Sequence, residues 1–136
     1  MTTQRVLLVV TPSIEMDRLV EEVPPESLRD ADLHVVVPAV AKSAISYWFT
    51  DDEAIDKARE VAAEAEVALG SRVSSIESAA GDSDPELAVR DALAGFNPDR
   101  IIVVHGDDHP GYRESKLDDL DVRIHRAVED HLLAAA

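Results

Sequence analysis

Two unbroken apolar runs constrain the fold of this chain more than any other feature of its sequence. Residues 5–10 read RVLLVV and residues 100–105 read RIIVVH, and both runs are rich in β-branched side chains. A strand with one face in water alternates apolar and polar residues, whereas these runs do not alternate. Each run is therefore predicted to be a strand buried on both faces, which is typical of a parallel sheet covered by helices on both sides.

Helical patterns and further strands alternate between these two runs. The additional strands are predicted at residues 33–37 and 72–79, and the helices at residues 13–22, 50–69 and 85–96. Local signals mark several ends: Thr50 and Glu53 have the spacing of a capping box, and Asp84 precedes a proline at the first helical position. The alternation predicts one α/β domain over residues 1–136, a Rossmann-like three-layer sandwich with a parallel sheet of four or five strands.

The segment after residue 115 fits two structures. Read as a helix, it places Leu117, Leu120, Ile124, Ala127 and Val128 on one face. Read as a fifth strand over residues 122–128, it would place alternate side chains on one face instead. Its charged residues and its Ala-rich end favour the helix. Without a fifth strand, the fourth would form an edge that a second copy or the last helix would cover.

The net charge of −15 is the strongest signal in the composition. Such a charge repels nucleic acid phosphates and anionic lipid, because both are bound by cationic surfaces. The 13 basic residues are scattered singly along the chain. We therefore expect no nucleic acid partner and no membrane partner, and we interpret the charge as a solubility feature.

The cellular compartment is expected to be the cytoplasm. The chain contains no cysteine, which excludes disulfides and thiolate chemistry. Residues 1–4 lead directly into the first apolar run without a basic region, so no secretory signal is expected. No apolar run approaches the roughly 20 residues that span a bilayer.

The segment HGDDH at residues 105–109 is the most polar cluster that follows a predicted strand. Imidazole and carboxylate groups together bind zinc and other divalent ions. Under this hypothesis the protein would be a small metal-dependent hydrolase. The alternative is a solvated acidic turn, because side chains in a loop need not converge on one point. The candidate metal ligands are His105, Asp107, Asp108 and His109.

Other residues with chemical potential have ordinary structural explanations. Ser13 has no neighbouring base and no sharp Gly-x-Ser-x-Gly turn, so the sequence identifies no catalytic nucleophile. The aromatic residues 47–49 (YWF) would stack on a ligand ring, serve an interface or pack against the long helix. His34, His125 and His131 have no partner spacing and are expected at the surface or in satisfied positions. No catalytic residue is predicted.

Several of these motifs together resemble the universal stress protein family. The stretch DPELAVRDALAGFNPDRIIVV at residues 84–104 is similar to a helix and strand of that family. A closer similarity is to a group of actinobacterial relatives, and it extends over residues 5 to about 120. The motifs that carry it are Pro38-Ala39, Tyr47-Trp48, the turn at residues 81–85, and His109-Pro110. The resemblance implies the adenine nucleotide alpha hydrolase-like fold and a homodimer.

The resemblance also implies ATP or another adenine nucleotide at the carboxyl ends of the strands. The family's Asp after the first strand is replaced here by Thr11-Pro12-Ser13, and Gly106 and Gly111 have a different spacing from the family's phosphate glycines. The ATP motif is thus degenerate. The predicted ligand-binding residues are Thr11, Pro12, Ser13, Pro38, Gly81, Gly106, Asp107, His109 and Gly111.

These observations predict a small-ligand-binding or stress-signalling domain that resembles universal stress proteins and is not an enzyme. Two alternatives stay open at this point. One is the metal-dependent hydrolase built on residues 105–109. The other is an interaction module without any small ligand, in which side chains would fill the crevice at the strand ends.

Overall fold

A parallel sheet forms the centre of the protein in the computed structural model, which describes residues 4–11, 14–39, 51–82, 84–104 and 126–130. Over these residues the sheet has four strands in the order β3-β2-β1-β4. The strands are β1 (Arg5–Val10), β2 (Asp32–Pro38), β3 (Ser75–Gly81) and β4 (Arg100–Val104). The helices are α1 (Met16–Glu22), α2 (Asp51–Leu69) and α3 (Pro85–Gly95), with 3-10 helices at Pro25–Leu28 and Gly70–Arg72. The prediction of a Rossmann-like α/β sandwich is confirmed.

β1 is the central strand because it pairs in parallel with β2 on one side and with β4 on the other. Leu8 lies opposite Val35 of β2 and Ile102 of β4. Residues 6–10 are all 0% exposed. The position of β1 explains its sequence, since a strand with neighbours on both edges and helices over both faces has no side that water reaches.

The two faces of the sheet bury separate apolar clusters. Successive residues of a strand point to opposite faces, so Leu8 and Leu7 belong to different clusters. On the first face, side chains of α1 and α2 pack against Leu8, with Leu19 and Ala62 among them. On the second face, Val89 and Leu93 of α3 pack against Leu7, Val9 and Val36.

α2 shows the apolar stripe that its sequence predicts. The buried residues of this stripe are Ala58, Ala62, Ala65 and Leu69. Val61 is also buried. The predicted capping box cannot be followed, since Thr50 and the side chain of Glu53 lie outside the described residues. None of the helices in the described part of the chain combines the length and the apolar character of a membrane span.

Two predicted element boundaries are wrong. α1 begins at Met16 rather than at residue 13, because Ile14 lies outside the helix, where its amide donates to the Thr11 carbonyl (3.2 Å). β3 begins at Ser75 rather than at residue 72, because the 3-10 helix Gly70–Arg72 continues the helical path after α2. Before β3, the 3-10 helix thus includes Arg72, which the apolar pattern assigns to the strand.

The segment at residues 126–130 is helical. Its Ala127 is 1% exposed and packs in the cluster of Leu7 and Val9. The helix prediction is therefore confirmed for these residues, and the alternative strand is wrong over residues 126–128. Residues 121–125 lie outside the described part of the chain.

Arg90 connects this segment to α3. Its guanidinium donates hydrogen bonds to the carboxylates of Asp130 and Glu86. These bonds, the one to Asp130 first, raise the pKa of Arg90 above its ordinary value. The side chains of Arg90 and Asp130 are both exposed, so the contact helps to orient the two helical segments and adds little stability.

Candidate functional site

The strand order identifies where a ligand crevice would open. β1, β2 and β3 follow one another in one direction across the sheet, whereas β4 lies on the opposite side of β1. The direction of the crossovers thus reverses between β1 and β4. In open parallel sheets, ligands bind outside the carboxyl ends of the strands at such a reversal point. We call this edge, marked by Thr11, Pro38, Gly81 and Val104, the strand-end rim.

The first and fourth strands are joined at the strand-end rim. The Thr11 amide donates to the Val104 carbonyl at 3.3 Å. Thr11 is 3% exposed, and it is the polar residue that the described part of the chain buries. Its backbone amide and carbonyl both serve internal hydrogen bonds. Thr11 is therefore buried at the strand-end rim and exposes little surface to a ligand.

Pro38 and Gly81 lie side by side at the other half of the strand-end rim. They are the last paired residues of β2 and β3. The Ala39 amide donates to the carbonyls of Gly81 and Asp82, both at 3.2 Å, which ties the two strand ends together. The sheet thus brings three of the predicted ligand-binding residues, Thr11, Pro38 and Gly81, to one edge.

Gly81 has a packing role that its sequence context does not indicate. A Cβ atom at this position would lie 2.7 Å from Cβ of Ala88 and 3.1 Å from Cγ2 of Val36. The missing side chain allows the first turns of α3 to approach the sheet closely. The sequence assigns Gly81 to a turn, whereas in the structure it is the last residue of β3.

Carboxylates of the protein itself occupy the N-terminus of α3. Oδ1 of Asp84 accepts from the Glu86 amide at 3.0 Å, which confirms the predicted cap. Oδ1 of Asp82 accepts from the Asp84 amide at 2.9 Å. With Glu86 in the first turn, three acidic residues complement the positive end of the helix. These groups disfavour a phosphate at this corner of the strand-end rim, because an anion would compete for occupied amides and face like charges.

The remaining predicted site residues cannot be placed. The other predicted ligand-binding residues lie outside the described part of the chain: Pro12, Ser13, Gly106, Asp107, His109 and Gly111. The same is true of His105 and Asp108 of the candidate metal cluster and of the aromatic residues 47–49. Across the residues that are described, no group of three or more His, Cys, Asp or Glu side chains is arranged to hold a metal ion. That observation does not bear on the metal hypothesis, whose ligands belong to the other part of the chain.

One contact of chemical interest lies away from the strand-end rim. The rings of His34 and Phe96 are 4.8 Å apart between centroids, and Nδ1 of His34 is 4.0 Å from Oε2 of Glu77. Sequence reasoning missed both partners of His34. The pairing of His34 with Glu77 follows from the register of β2 and β3, and no local pattern encodes that register.

No protein-family model matches this chain, and a comparison with curated proteins gives no significant match. The resemblance to universal stress proteins therefore stays a prediction. What the structure adds is the strand order and the position of the strand-end rim.

Proposed function

We propose that this protein is a small-ligand-binding domain of the universal-stress-protein kind, with its ligand at the strand-end rim between β1 and β4. The single observation that supports this proposal most is the strand order β3-β2-β1-β4, which puts the reversal point next to the central strand. The motifs at residues 81–85 and 84–104 provide the second line of support, through the resemblance they carry. We place this activity in the cytoplasm, in keeping with a chain that lacks cysteine.

We propose an adenine nucleotide as the ligand class. Support comes from the resemblance and from the parallel sheet, whose carboxyl edge commonly holds nucleotides. The N-terminus of α3 is an unsuitable phosphate site, since Asp82 and Asp84 occupy its amides. The resemblance implies that phosphate contacts would come from glycines that follow β4 in the sequence, here Gly106 and Gly111.

Titration of isotope-labelled protein, followed by amide spectra and by calorimetry, tests this proposal. ATP, AMP, cyclic AMP and adenosine are added separately, so that base and phosphate contributions are resolved. We expect the amides of Thr11 and Val104 at the strand-end rim to shift with ligand concentration. The amides of Arg5 and Asp32, at the opposite ends of their strands, are the internal control and should not move.

Two results would contradict the proposal. Absence of both heat and amide shifts at millimolar ligand would remove the nucleotide. Shifts confined to the amino ends of the strands would remove the strand-end rim as the binding site, even if a nucleotide bound.

We also propose that the protein forms a homodimer through β4. β4 pairs with β1, and no other strand of the described residues covers its second edge. Ile101, Ile102 and Val103 of this strand are each only half-buried, whereas residues 6–10 of β1 are fully buried. An edge strand with apolar side chains on both faces gains from pairing with a second copy.

Sedimentation equilibrium over a range of micromolar concentrations measures the oligomeric state directly. We expect twice the mass of one chain at about 0.15 M salt. At roughly 0.01 M salt we expect weaker association, because two copies that each carry a charge of −15 repel one another over a longer range. A single-chain mass at every concentration and at both salt levels would contradict the dimer.

A further inference from the structure

We draw no further inference here: the strongest candidate, the three carboxylates of Asp82, Asp84 and Glu86 around the N-terminus of α3, carries nothing because two of them accept hydrogen bonds from amides of their own turn and no second observation in the described part of the chain points to a cation there.

Discussion

Gly81 and Gly95 differ in how closely other atoms pack around them. A Cβ atom at Gly81 would lie 2.7 Å from Cβ of Ala88, whereas a Cβ atom at Gly95 would meet nothing within 4 Å. Neither glycine has a backbone angle that only glycine adopts readily. The two positions therefore separate the effect of close packing from the effect of backbone flexibility.

We predict that Gly81→Ala and Gly95→Ala change stability with opposite signs. Gly81→Ala forces α3 away from the sheet and should cost roughly 1–3 kcal/mol, the usual range for overpacking. Gly95→Ala, in the last turn of α3, should stabilise by a few tenths to about 1 kcal/mol, because it restricts the unfolded chain. Urea denaturation at equilibrium measures both. A Gly81→Ala protein as stable as the parent would show that α3 does not approach β3 as described.

Elements of the fold also depend on single side chains that come from elsewhere in the chain. α1 has only 7 residues, and no side chain caps its N-terminus. Its C-terminal end is held by Arg72, whose Nη1 donates to the carbonyls of Val23 (3.0 Å) and Val20 (3.3 Å). A guanidinium at this end satisfies free carbonyls and complements the negative end of the helix dipole.

We predict that Arg72→Met destabilises the protein by about 1–2 kcal/mol, the usual net value of hydrogen bonds from a charged donor. Arg59→Met is the matched control. It removes the same charge from a side chain that is 71% exposed and lies 4.0 Å from Asp56, and it should change stability by less than about 0.5 kcal/mol. Urea denaturation of the two variants compares them directly. Equal losses would mean that charge, and not the contact with α1, determines the effect.

The packing of the helical segment at residues 126–130 leads to a second prediction about stability. Ala127 is 1% exposed against the sheet, whereas Val67 on α2 is 85% exposed. Ala127→Glu should cost at least about 2 kcal/mol, because the carboxylate must either be buried or displace the segment. Val67→Glu introduces the same residue and charge and should stay within about 0.5 kcal/mol of the parent. Thermal unfolding measures the stability of both variants. Equal losses of stability would show that residue 127 is not buried.

The elements that sequence reasoning predicted well are those determined by neighbouring residues. Asp84 caps a helix that begins one residue later, so its role depends only on local spacing. The apolar stripe of α2 likewise follows from a period along one element. The start of β3 and the partners of His34 depend on how separate elements pack, and no local pattern carries that information.

The same distinction between local sequence and packing applies to the candidate site. The absence of alternation in β1 and β4 predicts parallel strands buried on both faces, with carboxyl ends at the same edge of the sheet. The burial prediction is confirmed for β1, whereas residues 101–103 of β4 are only half-buried. The order of the strands does not follow from these patterns, yet it decides that Thr11 adjoins Val104. The packing role of Gly81 does not follow from the sequence either, because it depends on the distance between α3 and the sheet.

The net charge of the whole protein leads to a last prediction. Its net charge is −15, and the ion pairs seen among the described residues join exposed or half-buried side chains, several of them three or four residues apart on one helix. Such pairs each contribute between 0 and about 1 kcal/mol. Repulsion arising from the excess of carboxylates should therefore exceed attraction, and salt should stabilise the fold by screening it.

We expect the thermal midpoint to rise by several degrees between about 0.02 M and 0.5 M sodium chloride, most steeply at low salt, where the Debye length falls fastest. Glu64→Lys provides the control, because it reverses one exposed charge on α2 and reduces the excess negative charge, from −15 to −13 (−15 + 2). Its midpoint should be higher than that of the parent at low salt, and its rise with salt should be smaller. A midpoint that falls with added salt would mean that the ion pairs, and not the excess of carboxylates, dominate the electrostatics of the folded protein.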